Sequence, residues 1–170
     1  MAQQGKKSQA HAEEALLRSI SWSEGGIFSL GTIDLAVVAQ IGKQNNAAVI
    51  QTKSENDPNA AIILQNGENN DAVLVQKGSG IASAILQNGH ENNCEVVVEA
   101  PKGARTSVNQ LGNGNTVEQN LESSSRFSNS VTQIGNDHYL SQCEGNGPLL
   151  DYTITQKGNG AKAVITNGDR

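Results

Sequence analysis

The stretch that decides the fold runs from Gln40 to Gln51 and reads QIGKQNNAAVIQ, and it returns from Gln65 to Gln76 as QNGENNDAVLVQ. Six of the Gln-x-Gly pairs in the chain, including the two that open these stretches, recur at steps of 22 to 25 residues between successive glutamines. The repeat glutamines are Gln40, Gln65, Gln87, Gln110, Gln133 and Gln156, and their glycines are Gly42, Gly67, Gly89, Gly112, Gly135 and Gly158. A constant period of this length indicates a repeat architecture in which successive units stack on one another.

The residues around each glutamine follow a strand pattern. Two residues before it stands a β-branched residue that we expect in the core: Val38, Ile63, Ile85, Val108, Val131 and Ile154. Such residues favour a pleated, half-buried strand, and the spacing of two puts them on the same face as the glutamine. The glycine then begins a turn, because glycine adopts a positive φ at no steric cost. The segment that follows it is rich in asparagine, which also favours turns.

A second strand follows each turn. In the first repeat its inward face runs through Ala47 and Val49 to Gln51. The third repeat departs from the pattern, with Cys94 in the alanine position and Val98 in that of the second glutamine. In the fourth and fifth repeats the second glutamine comes two residues earlier, as Gln119 and Gln142, and the fifth repeat has His138 in the place of the turn asparagine. This shift predicts that the strand-turn-strand arc between the two glutamines is two residues shorter in these repeats. Because two residues are lost, the side chains still alternate between the inward and the outward face.

These patterns predict an all-β protein, a β-solenoid of about six strand-turn-strand rungs over 36–168 with two parallel sheets face to face, cross-β and amyloid-like. One repeat cannot bury its own inner face, whereas a stack can. Stacked amides are expected to form ladders along it. The ladder residues are the six repeat glutamines with Gln51, Gln76, Gln119, Gln142, Asn45, Asn70, Asn92 and Asn115. A disordered amide-rich chain is the alternative, but disorder requires no β-branched residue at one recurring offset.

The pattern Gln-x-Gly-x-x-Asn-x-Ala-x-x-x-Gln, as it stands from Gln40 to Gln51, resembles the curlin repeat, and the likeness covers about residues 36–168. The resemblance implies a subunit of curli, the extracellular amyloid fibres that serve bacterial biofilm matrix formation and surface adhesion. It implies as partners further copies of the chain, other curlin subunits, an outer-membrane secretion pore and accessory chaperones. The segments Gln76 to Gly80 and Gln156 to Gly160 resemble the minor, nucleating subunit, and the major and minor subunits remain alternatives.

Residues 1–35 precede the repeats and are expected to form a poorly ordered leader. By the resemblance, this leader directs secretion to the cell surface. A short helix from His11 to Ile20 and a frayed terminus are the two alternatives for its structure. The segment has no apolar signal core, so we do not expect a signal peptide within this chain.

Charge and motif content argue against several classes of protein. The net charge is −5 and the lysines and arginines are scattered, which disfavours a nucleic-acid partner. His11, His90 and His138 have no metal-ligand spacing, and the glycine-rich turns lack the ending of a phosphate loop, so no metal or cofactor is expected. A rod offers few concave pockets, and we therefore expect neither catalysis nor a small-molecule substrate.

The two cysteines are expected to remain unpaired. Cys94 falls on the inward face and Cys143 falls on the outer face or in a turn, two rungs away. Two rungs correspond to about 9.6 Å, whereas a disulfide requires Cα atoms within about 7 Å. Cys94 is therefore predicted to behave as a small core hydrophobe.

Two other functions for a solenoid remain as alternatives. A monomeric solenoid that binds ice or another surface requires a flat array of threonines, which only Thr132, Thr153 and Thr155 approach. A carbohydrate-binding adhesin normally carries a row of aromatic rings, and Tyr139 and Tyr152 do not form one.

Overall fold

The computed structural model describes residues 34–53, 57–100, 103–122, 126–145 and 151–167. These residues form twelve β-strands and no helix. The strands are β1 (Leu35–Lys43), β2 (Asn46–Lys53), β3 (Ala60–Glu68), β4 (Asp71–Gly78), β5 (Ile81–His90), β6 (Asn93–Ala100), β7 (Ala104–Leu111), β8 (Thr116–Glu122), β9 (Phe127–Asn136), β10 (Tyr139–Glu144), β11 (Tyr152–Asn159) and β12 (Lys162–Asn167). The predicted leader lies outside the described residues except for its last two, and Leu35 already opens β1.

The strands alternate between two parallel sheets, as the sequence predicts. The first sheet has the order β1-β3-β5-β7-β9-β11, and the second has the order β12-β10-β8-β6-β4-β2. Each rung is thus one strand of the first sheet, a turn and one strand of the second sheet. The register is in phase throughout the first sheet, where Gln40 lies opposite Gln65 and Gln65 lies opposite Gln87. The chain is therefore a β-solenoid.

The inward side chains of the two sheets form one hydrophobic core. Of the six predicted core positions in the first sheet, Ile63, Ile85, Val108 and Val131 are buried. The second sheet adds Leu74, Val96, Val117 and Leu140 to the same cluster. Each such side chain stabilises the fold by about 1.5–3 kcal/mol through the apolar surface that it removes from water.

The core prediction is wrong for the first rung and holds only in part for the last. Val38 is 46% exposed, and Ile154 is half-buried. Both residues have the expected position on the inward face, but β1 and β11 are the outermost strands of the first sheet in the described chain. A side chain in an end rung is covered from one side only, so its position in the repeat does not determine its burial.

The glycine that follows each repeat glutamine is required by a close approach between rungs. Gly89 has φ +134°, and a Cβ added there would overlap the carbonyl oxygen of Gly112 in the next rung. The same overlap with the next glycine arises at Gly42, Gly67, Gly112 and Gly135. At Gly158, in the last rung, an added Cβ meets nothing within 4 Å. The glycine column therefore lets consecutive turns stack backbone on backbone.

A second left-handed residue completes each turn, which the sequence analysis did not identify. It stands four residues after the repeat glutamine and has φ between 55° and 57° at Gln44, Asn69, Glu91 and Asp137. Positive φ is uncommon outside glycine. The backbone N–H of Glu91 donates to the carbonyl oxygen of Glu68, at an N···O distance of 3.0 Å. The turn conformation is thus held by hydrogen bonds between rungs.

The shorter arc predicted for the fourth and fifth repeats is wrong. Val117 lies opposite Cys94, and Gln119 lies opposite Val96. Gln142 in turn lies opposite Gln119. The arc therefore keeps its length, and it is the glutamine that sits two positions earlier along the strand. Both positions face the interior, so an amide can occupy either one while the stacked turns hold the register.

We expect Gly89→Ala to destabilise the protein much more than Gly158→Ala. Both substitutions place a Cβ on a residue with positive φ, which costs about 1–3 kcal/mol. Only Gly89→Ala also forces two rungs apart, which adds about 1–3 kcal/mol of packing strain. Urea unfolding of dilute, freshly desalted protein measures the difference. Equal losses in the two variants would show that the glycine column serves backbone conformation alone.

Candidate functional site

A continuous column of glutamine side chains runs along the interior of the first sheet. Each glutamine donates a hydrogen bond from Nε2 to Oε1 of the glutamine in the next rung. The donor–acceptor pairs are Gln40–Gln65 at 2.6 Å, Gln65–Gln87 at 2.8 Å, Gln87–Gln110 at 2.9 Å, Gln110–Gln133 at 3.0 Å and Gln133–Gln156 at 2.7 Å. The column has a direction, because each of these glutamine–glutamine bonds is donated toward the C-terminal rung.

The glutamine amides also attach the strands to the turns. Gln110 Nε2 donates to the carbonyl oxygen of Asn115, in the turn of its own rung, at 3.0 Å. It also donates to the carbonyl oxygen of Asn93, in the preceding rung, at 2.9 Å. Gln110 is fully buried, where an amide without partners would be costly. Its hydrogen bonds therefore depend on the rung before it and the rung after it.

A parallel column of asparagines lies five residues after the glutamines and closes the turns. Asn92 Oδ1 accepts from the backbone N–H of Asn115 at 3.1 Å and from Asn115 Nδ2 at 3.1 Å. Asn92 Nδ2 donates to the carbonyl oxygen of Gly112 at 2.8 Å. The predicted ladder residues Asn45, Asn70, Asn92 and Asn115 occupy this column, and equivalent bonds join each to the next.

The fifth residue of the asparagine column is His138, as its place in the fifth repeat predicts. Its backbone N–H donates to Asn115 Oδ1 at 3.1 Å. Its ring nitrogen Nδ1 accepts a hydrogen bond from the backbone N–H of Ala161 at 3.1 Å. In the other rungs an asparagine Oδ1 accepts the equivalent bond. The prediction rests on the repeat, because His138 follows Gln133 at the same offset as Asn115 follows Gln110.

The predicted amide ladder of the second sheet is instead two separate pairs. Gln51 donates to Gln76 at 2.8 Å. Gln119 donates to Gln142 at 3.0 Å, in the neighbouring column. Val98 lies opposite Gln76 and ends the first pair, so no ladder joins the four residues. The column of hydrogen-bonded side-chain amides is thus continuous in the first sheet and interrupted in the second.

The interior of the last three rungs also holds polar side chains beside the apolar core, and of these the sequence analysis missed Glu144. Gln119 Nε2 donates to Asn129 Oδ1 across the two sheets, at 2.8 Å. Glu144 is buried and accepts from Gln142 Nε2 at 2.7 Å and from Asn167 Nδ2 at 3.4 Å. Glu144 follows Gln133 at the offset at which Gln51 follows Gln40, so its inward position could have been predicted.

The outer face of the second sheet carries two pairs of carboxylates in register. Glu95 lies opposite Glu118, and Glu99 lies opposite Glu122. Glu99 forms an ion pair with Lys77, whose pKa is raised by this hydrogen bond and by the charge of Glu99. Neighbouring strands are about 4.8 Å apart, so like charges in register repel each other. Negative charge on this face therefore opposes the stacking of rungs.

The cysteines lie as predicted. Both are free, Cys94 is buried in the core cluster, and Cys143 is exposed. Burial raises the pKa of the Cys94 thiol, with a smaller contribution from the charge of Glu95. Among the described residues no group of three or more His, Cys, Asp or Glu side chains could hold a metal ion.

The two ends of the solenoid are the remaining candidate site. In the described chain β1 and β2 pair on one side only, and so do β11 and β12 at the other end. Unpaired edges of parallel sheets present free N–H and C=O groups that template further strands. The described residues contain no helix that is long and apolar enough to cross a membrane. Comparison with protein-family models, with curated proteins and with solved structures gave no match.

We expect Gln110→Leu to lower the free energy of unfolding by about 2 kcal/mol, because Gln133 Oε1 loses its donor inside the core. Gln156→Leu is the matched control and should cost less than about 1 kcal/mol, since Gln156 Nε2 donates to the backbone carbonyl oxygens of Tyr139 and Ala161 and to no side-chain oxygen of the described residues. Urea unfolding of both variants gives the comparison. Similar losses would mean that the column contributes side-chain packing and no directional hydrogen bonding.

We expect Glu95→Gln to stabilise the protein by about 0.5 kcal/mol, because it removes the charge that faces Glu118. The gain should shrink in high salt, which screens exposed charges. Glu91→Gln, in an exposed turn, removes the same charge elsewhere and should change stability little. Thermal unfolding at low and high salt tests the prediction, which a destabilised Glu95→Gln protein would contradict.

Proposed function

We propose that this protein is the structural subunit of an extracellular fibre of the curli type, and that copies polymerise end to end through the two open ends of the solenoid. One observation carries the proposal: the first and last rungs present the same columns of residues to opposite ends. In the glutamine column one end presents Gln40 and the other presents Gln156, whose neighbours Gln65 and Gln133 already stack in register.

The junction between copies would repeat the contacts between rungs. With β11 and β12 of one copy beside β1 and β2 of the next, Gln156 lies over Gln40 and Gly158 over Gly42. Gln40 Oε1 then accepts the hydrogen bond that each internal glutamine oxygen accepts. Ile154 of one copy covers Val38 of the next. Val38 is 46% exposed in the single chain, so the junction would remove apolar surface from water. The joined sheets keep their parallel order.

The biological setting of the fibre is proposed from the curlin-like repeats. Secretion through an outer-membrane pore with accessory chaperones, assembly at the cell surface, biofilm matrix formation and adhesion are what this resemblance implies. A structural role without catalysis is part of the same proposal. A filled interior supports it, because the inward space is occupied by the core cluster and the amide columns. A monomeric surface-binding solenoid is the competing function, and the experiment below separates the two.

Gly158→Ala tests end-to-end growth. A Cβ at this position meets nothing within 4 Å in the single chain, whereas in a stacked pair it would meet the Gly42 carbonyl of the next copy. We expect the variant to fold and to elongate at least tenfold more slowly than the wild type. Because its first rung is intact, it should still add to a growing end and then block it. Wild-type growth should therefore be inhibited at substoichiometric amounts of the variant.

Gly160→Asn is the matched control, because its φ of +68° suits asparagine and this turn position already carries Asn69 and Asp137 in other rungs. Thioflavin fluorescence follows elongation, and fibre diffraction should give reflections near 4.8 Å and about 10 Å. Wild-type protein that stays monomeric with strand-rich circular dichroism would refute the proposal and favour the surface-binding function. Unimpaired growth of Gly158→Ala would refute the end-to-end junction.

A further inference from the structure

The outer face of the first sheet carries two columns of uncharged side chains. These side chains point outward because they alternate with buried ones, as Ile62 does between Ala61 and Ile63 in β3. Strand pairing keeps both columns in register through all six rungs. We call them the outer columns, and they consist of Val37, Ile62, Ala84, Ser107, Ser130 and Thr153 in one and of Ala39, Leu64, Leu86, Asn109, Thr132 and Thr155 in the other.

The outer columns change character halfway along the solenoid. In the first three rungs they are apolar throughout, and in the last three they consist of serine, threonine and asparagine. The apolar half is contiguous, because Ile62 lies opposite Ala84 and Leu64 lies opposite Leu86 in the next rung. Ile62, Leu64 and Leu86 are half-buried, so part of their apolar surface is still in contact with water. A contiguous apolar surface of this kind is typical of an interaction site.

Charge is distributed unevenly between the two faces of the solenoid. The outward columns that flank the outer columns contain Arg105, Asp151 and Lys157 as their charged residues, and all three belong to the last three rungs. The outer face of the second sheet instead carries the facing carboxylate pairs of β6 and β8. Two copies of that acidic face would repel each other, whereas two copies of the apolar half meet without opposed charges. The charge distribution therefore favours the first sheet as the face that can meet a copy of itself.

The size of this face distinguishes single chains from filaments. With strands about 4.8 Å apart and outward residues about 6.8 Å apart along a strand, the outer columns and their flanks cover roughly 600 Å² per copy, of which the apolar half is about 300 Å². A stable interface buries about 800 Å² per partner. One copy therefore falls short of a stable interface, whereas ten copies stacked end to end offer about 6,000 Å². The face is too small to hold two single chains together and large enough to hold two filaments.

We propose that the outer columns form a lateral docking face, and that its partner is the same face of a second filament. The inference rests on the proposed end-to-end growth, which repeats the apolar and the polar half along the fibre with a period of about 29 Å. A second filament has the same period, so apolar rungs meet apolar rungs along the whole contact. Sheets that face each other in this way pack about 10 Å apart and exclude water from between their side chains.

Leu64→Glu tests the docking face, because it puts a carboxylate into the apolar half, where the second filament offers apolar side chains. Within one filament the substituted positions of successive copies are about 29 Å apart, well beyond the screening length of about 10 Å, so the new charges do not oppose elongation. Val75→Glu is the matched control. Val75 is also half-buried and belongs to the same rung, but it lies on the outer face of the second sheet.

We expect wild-type filaments to pair side by side, and Leu64→Glu filaments to pair at least tenfold less often while they elongate at the wild-type rate. Val75→Glu filaments should pair as the wild type does. Electron microscopy gives the fraction of paired filaments, and thioflavin fluorescence with a fixed amount of seed gives the elongation rate. Pairing of the wild type should persist in high salt, because the contact involves no opposed charges for salt to screen. Freshly desalted single chains should sediment as monomers.

The docking face would be overturned by equal pairing of wild-type and Leu64→Glu filaments, by equal losses of pairing in both variants, or by loss of wild-type pairing in high salt. Wild-type filaments that stay single would also overturn it. A larger loss of unfolding free energy in Leu64→Glu than in Val75→Glu would then assign the face to a segment of the same chain. Wild-type protein that forms no filaments would instead refute the proposed function, and the pairing of filaments with it.

Discussion

The hydrogen bond between a buried glutamine and the glutamine of the next rung is the constraint on which the rest of the structure depends. A carboxamide in a dry core requires partners for its oxygen and its N–H groups. Gln87 and Gln110 are completely buried, and each reaches the next glutamine at 3.0 Å or less. A shift of one residue would turn these amides outward and bring apolar and polar faces out of phase. The column therefore holds the register, and the register brings the glycines close enough to stack.

The same constraint explains why the ends of the solenoid differ from its middle. An amide column satisfies each residue through a neighbour, so the first and the last member lack one neighbour in the single chain. Gln40, in the first strand of the sheet, is exposed, whereas Gln65, in the second strand, is buried, although both occupy the same repeat position. A further copy supplies the missing neighbour, which is the physical basis of the proposed polymerisation.

Much of the fold and part of the candidate site could be predicted from offsets to the repeat glutamine. The β-branched residue two positions before it and the asparagine five positions after it both occupy the predicted columns. The shorter arc was wrong because Gln119 was matched to Gln76 by residue type, whereas the structure places it opposite Val96. Glu144 was missed because it differs chemically from the glutamine that opens its column. Position in the repeat was the better guide wherever residue type and offset disagreed.

The sequence by itself determined the parallel β-solenoid, the six rungs, the inward glutamines and the glycine turns, because each follows from a local period that the chain repeats. Only the tertiary structure decided which side chains of the second sheet share a column with Gln119, since strand pairing sets the register between residues more than twenty positions apart. It also decided that Val38 is exposed while Ile63 is buried, because burial depends on rungs above and below. The hydrogen bond from the N–H of Ala161 to His138 likewise depends on the tertiary structure, because Ala161 reaches the ring only once the sixth rung is stacked.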